Sequence, residues 1–175
     1  LLRSRSKGTQ ALQGALDWSW DLLKPWAKST LTQSSVFRGG FEITAAENIV
    51  QCGEWKESPP VFDILQDLCD NSLLLQNKSS EGEVRFGLLE SIRQYARKKL
   101  SDNDSIAQGL SGSQANTDTE GRHARYYAQF GTPSFLESLD SRGTQGNWTS
   151  FSEELDNFVA GIDYGTGDVA LHCCM

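Results

Sequence analysis

Val84–Leu100, VRFGLLESIRQYARKKL, is the stretch whose reading decides the fold. Its opening residues alternate around Phe86 as a strand does, and at Leu88 the period changes. Leu88, Leu89, Ile92, Tyr95, Ala96 and Leu100 then recur at helical spacing, while Arg93, Arg97, Lys98 and Lys99 fill the opposite face. The late position of these cations suits the negative end of the helix dipole. A strand that feeds straight into an amphipathic helix must dock on a core built by the residues before it.

Those residues read as helices followed by a hairpin. Thr9–Leu23 is apolar along Leu12, Ala15, Leu16 and Leu23, and Pro25 ends it. Trp26–Phe37 follows, then the turn Arg38-Gly39-Gly40 with Phe41 as a core plug. A short helix is expected from Ile43 to Gln51, with Thr44 and Glu47 spaced as a capping box. Ser58 is placed to cap the next helix, whose stripe is Val61, Ile64, Leu65 and Leu68. Ser72–Gln76 and Val84–Gly87 read as paired strands around a polar turn. The expected fold is mainly α with a small β-hairpin, a winged helix-turn-helix domain over residues 1–102.

Downstream, residues 103–119 read as a Ser/Asn/Gly/Asp-rich linker. Residues 120–175 read as the first helices of a TPR-like array, with helices expected at Gly121–Phe130, Asn147–Ile162 and Val169–Met175. This second part is expected to be the weaker unit, since further repeats would be needed to cover its apolar faces. The chain opens without Met and stops after an apolar run, so it reads as a fragment of something longer.

Charge divides the chain in the same place. Residues 1–102 balance thirteen Lys/Arg against thirteen Asp/Glu, whereas residues 103–175 set three against ten and so hold the whole net charge of −7. That excess argues against a broad nucleic-acid or anionic-membrane surface. No apolar run approaches a membrane span and the opening residues lack a signal-peptide pattern, which gives a cytoplasmic expectation. Cys52, Cys69, Cys173 and Cys174 lack metal-ligand spacing and read as structural thiols.

The search for catalysis finds no P-loop, no GxSxG and no HExxH. His123 reads as a packing or surface residue, and Glu153-Glu154 as a solvated face, since adjacent helical residues point different ways. No catalytic residue and no metal ligand is assigned. The expectation is a non-enzyme.

The blocks ALDWSWDLL, SVFRGGFEITAAENIV, VFDILQDLCDNSLL, VRFGLLESIRQYARKKL and RHARYYAQF stand in an order that resembles the winged-helix domain of bacterial STAND-class signalling ATPases. ELDNF at 154–158 resembles the segment that enters their TPR-like array. The resemblance implies a regulatory relay in signal transduction, coupling an upstream nucleotide-binding domain to repeats that bind a protein or small-molecule signal. ATP or ADP and magnesium are implied for that upstream domain, and no cofactor for this fragment. In the related NB-ARC proteins a Met-His-Asp motif senses the nucleotide, and the matching positions here are Leu88, Leu89 and Glu90. Leu89 cannot donate a hydrogen bond to phosphate. Glu90 either holds a domain interface or is a first-turn carboxylate favoured by the helix dipole.

Trp20, Arg93 and Arg97 are the interface candidates, with Trp18 and Trp20 spaced so that one can face inward and the other a neighbouring domain. The alternatives are core or rim tryptophans and a solvated cationic face. A different class of function, a winged-helix DNA-binding transcriptional regulator, is the rival reading. Asp63, Asp67 and Asp70 on the outer face of the expected recognition helix count against DNA, because they would meet a phosphate backbone.

Overall fold

The computed structural model describes residues 2–52, 55–102, 106, 111–133, 135, 137 and 151–165, and of residues 2–9 the backbone alone. The expected helices at the chain's start form as α1 (Leu2–Leu22) and α2 (Pro25–Gln33), the second opened by a proline at its first position and prolonged by a 3-10 turn, Ser34–Val36. Lys24, extended at φ −65° and ψ 155°, makes the break.

Gly39, at φ +102°, turns the chain so that Phe41 enters β1 (Phe41–Glu42) wholly buried. Phe41 stacks on Phe37 with ring centroids 4.1 Å apart. Helix α3 (Ile43–Ile49) starts at once, with Glu42 at its cap position and no side-chain cap bond, so the expected Thr44/Glu47 box does not form. Thr44 already lies inside the helix, because the strand delivers the chain one residue before it. Pro60, not Ser58, precedes α4 (Val61–Asp70), and the Ser58 hydroxyl donates to the Pro59 carbonyl at 3.2 Å.

The sheet departs from the expected hairpin in the bounds of its first strand and in strand number. Ser72 adopts φ +58°, and the Leu73 and Leu74 N–H groups fold back to donate to the Leu68 carbonyl at 2.9 and 3.2 Å. The apolar run therefore terminates α4 and fills the core, and β2 begins only at Leu75 (Leu75–Lys78). It pairs antiparallel with β3 (Val84–Gly87), whose other edge takes β1, with Phe41 opposite Phe86, giving the order β1-β3-β2. In a mostly helical chain, helices α2–α4, a three-stranded antiparallel sheet and a wing at residues 79–83 make a winged helix-turn-helix.

Helix α5 (Glu90–Ser101) begins two residues later than its periodicity suggests, and Leu89 occupies its cap position, half exposed. Ile92, Tyr95, Ala96 and Leu100 bury the inner stripe as expected. Helix α6 (Ser113–Ala128) starts eight residues before Gly121, so residues 113–119 of the expected linker are helical. α7 (Leu155–Tyr164) starts inside the expected 147–162 helix and runs two residues past its end; residues 147–150 and the expected 169–175 helix lie outside the described residues. Tyr127 of α6 and Phe158 of α7 belong to the same apolar cluster as Phe37, Phe41, Leu65 and Phe86.

Candidate functional site: the outer surfaces of the winged helix

The second helix of the helix-turn-helix, α4, buries Ile64, Leu65 and Leu68 and leaves Asp63, Asp67 and Asp70 in solvent beside Phe62. The exposed wing adds Lys78 but also Glu81 and Glu83. This face carries negative charge where a base-reading helix carries cations.

The opposite flank, the outer face of the sheet, is covered by the chain's own downstream helices. Arg85 alternates with Phe86 on β3, so that Phe86 enters the core and Arg85 points to the other side, where it is also buried. Its guanidinium meets Glu154 at 2.6 Å and Glu42 at 3.2 Å and donates to the Gly40 carbonyl at 3.0 Å. Burial alone would lower its pKa, yet the facing glutamates Glu154, Glu42 and Glu153 hold it above the ordinary arginine value. Burial pushes Glu42 up. Glu153 reaches the wing, accepting from the Ser80 N–H at 2.9 Å, a bond that holds its carboxyl below the ordinary range. Asn157 donates to the Gly40 carbonyl and accepts from the Arg38 N–H, at 2.8 and 2.9 Å.

On the inner seam, Arg122 of α6 donates to the Ile49 carbonyl at the end of α3 at 2.7 Å and to Gln33 Oε1 at 2.8 Å. His123 sits fully buried in a box of Phe37, Tyr127 and Tyr164, with neither ring nitrogen hydrogen-bonded. Burial lowers its pKa to about 3, so it is a neutral packing residue.

The positions singled out in the sequence do not share one site. Leu88 is buried, Leu89 faces solvent, and Glu90 pairs with Arg93 at 3.2 Å while accepting from Gln94 at 2.9 Å. Trp20 is only 5% exposed, packed edge-on against Tyr95 with Lys28 and Lys99 over its ring; Trp18, 69% exposed, is the outward member of that pair. Helical phase decides this, since residues two apart point to different sides.

Arg93 and Arg97 do converge, on a cleft of about 430 Å³. Helix α5 lines it with Glu90, Arg93, Gln94 and Arg97, the 3-10 turn supplies Ser35, the loop after it supplies Arg38, and α7 supplies Tyr164. Arg38 and Tyr164 were invisible as site residues in the sequence, the one read as part of a turn and the other lying beyond a helix expected to stop at 162. Among the described residues no His/Cys/Asp/Glu group could hold a metal, and no helix is long and apolar enough to cross a membrane.

Comparison with known proteins agrees with the topology. Residues 23–101 match the family model of a winged helix-turn-helix domain. A protein of Mycobacterium bovis and one of Mycobacterium tuberculosis, each named "Putative HTH-type transcriptional regulator", are 31% identical over 126 residues, which is 72% of this chain and 13% of each relative. An uncharacterized protein of Mycobacterium tuberculosis is 30% identical over 94 residues, 54% of this chain and 24% of its own length. No solved structure matches the chain. The chain thus spans a small part of the relatives it resembles, and what it carries over residues 23–101 is a winged helix-turn-helix domain.

Proposed function

We propose that this chain is the winged-helix segment of a longer transcriptional regulator that acts on DNA. The observation that carries the reading is the winged helix-turn-helix topology, shared with relatives named as regulators of that type. It replaces the expectation that DNA is not a partner, and the comparisons favour it over the relay role in a STAND-type ATPase. No catalytic step is assigned to the segment.

The surface chemistry constrains how the regulator meets DNA. Asp63, Asp67 and Asp70 would oppose a phosphate backbone, so α4 does not lead the contact in the way a base-reading helix does. A second reading, that this domain relays a signal within the regulator through protein contacts, is favoured by the downstream helices that clasp its sheet and wing through Arg85–Glu154 and Ser80–Glu153. Nucleotide sensing at Leu88–Glu90 and docking by Trp20, Arg93 and Arg97 would belong to that relay.

Fluorescence anisotropy separates the two. The intact regulator is expected to bind duplex DNA, and residues 1–175 alone to bind mixed-sequence duplex weakly even at low salt. Salt-sensitive binding by the segment itself would make this domain the DNA contact. Failure of the intact protein to bind DNA or change transcription would overturn the regulator reading and leave the relay.

A further inference from the structure

We propose that the Arg38/Arg93/Arg97 cleft is a binding site for a small molecule that carries a phosphate-type oxyanion. The cleft gathers cations from separate parts of the fold. Arg38 follows the 3-10 turn, Arg93 and Arg97 lie one helical turn apart on α5, and Tyr164 of α7 sits between them. The guanidinium carbons of Arg38 and Arg97 lie 5.5 and 5.4 Å from the Tyr164 ring centroid, and the Tyr164 hydroxyl accepts from Arg97 Nη1 at 3.0 Å. Stacking of this kind limits the freedom of the arginines before any ligand arrives.

Two features point to an acceptor from outside. Arg93 Nε is shielded from solvent and has no hydrogen-bond partner, which leaves a charged donor without its acceptor. The carboxylates that pair with two of the arginines are also exchangeable. Glu90 is 63% and Asp163 52% exposed, so their bonds to Arg93 and Arg38 are weak surface ion pairs. Glu120, the partner of Arg97, is better buried and stays in place. An incoming oxyanion can therefore displace Glu90 and Asp163 and take up the guanidinium groups of Arg93 and Arg38. At about 430 Å³ the cleft has room for more than one phosphoryl group or for one on a carrier, within the range of small-ligand sites. This proposal does not rest on the regulator reading, and it uses neither Leu88 nor Leu89.

Isothermal titration of residues 1–175 with inorganic pyrophosphate, and with inorganic phosphate in parallel, tests it. One-to-one binding is expected, tighter for pyrophosphate. Arg93→Gln should weaken it by roughly tenfold or more, the size of a lost charge-assisted hydrogen bond. Arg38→Gln, at a more exposed position, should also weaken it and serves if Arg93→Gln unfolds. Glu90→Gln should tighten it about two- to fivefold by removing the competing carboxylate. Lys78→Gln, in the wing, should leave it unchanged. Absence of binding at millimolar pyrophosphate, or binding that Arg38→Gln and Lys78→Gln alter equally, would overturn the site.

Discussion

Phe41 packs inside the winged helix, and His123 ties the downstream helices to it through Phe37. Phe41 is fully buried between Phe37 and Phe86. Phe41→Ala is expected to cost roughly 3–5 kcal/mol of unfolding free energy, measured by urea titration; a loss below about 1 kcal/mol would contradict its place in the core. His123 is the pH-sensitive counterpart. Burial lowers its folded pKa to about 3, below the ordinary histidine value of 6.5, so the unfolded chain binds the proton more readily. The stability that neutral His123 permits is present above pH 6.5 and is lost as pH falls toward 3, on the order of 5 kcal/mol over the whole window. His123→Phe should flatten the dependence of stability on pH between those limits, and an unchanged slope would place the titration elsewhere.

Helix α6 is joined to the winged helix by one bifurcating arginine as much as by apolar contact. Arg122 satisfies the last carbonyl of α3 and the buried Gln33 amide together, although burial lowers its pKa. Arg122→Ala is expected to lose about 2 kcal/mol, and Arg122→Lys should recover little, since an ammonium cannot reach both acceptors as a planar fork does. Chemical denaturation of the pair tests this. The wing makes a parallel case at its own scale. Its Ser80 N–H donates to Glu153 alone, so Glu153→Ala should speed hydrogen exchange at that amide while leaving the α4 amides unchanged.

Across the whole molecule, α6 and α7 share a core with the winged helix, through Tyr127 and Phe158 in the same apolar cluster as Phe37 and Phe86. Circular dichroism and tryptophan fluorescence should therefore report one coincident thermal transition. Two separated transitions would mean that the shared cluster does not couple the segments. The buried Arg85–Glu154 pair strengthens the expectation, because Arg85→Ala leaves Glu154 without its cation, with only the Tyr127 and Asn157 donors at Oε2, and should cost about 3 kcal/mol.

The local sequence by itself determined the elements and their faces. The period change placed the β3-to-α5 junction to within two residues, Pro25 placed the break between α1 and α2, and the Gly39 turn with its aromatic plug was legible because only glycine enters that backbone region cheaply. Tertiary structure decided what those patterns leave free. Leu73 and Leu74 could be strand or helix terminus, since a short apolar run has no period of its own, and the Leu68 carbonyl settled it. The third strand, β1, is two residues long and exists only because β3 lies beside it. Arg85, Arg122 and the arginine cleft were out of reach for the same reason. Each joins residues far apart in the chain, and a charge reads as solvated until the fold brings up the carboxylate, carbonyl or ring that faces it.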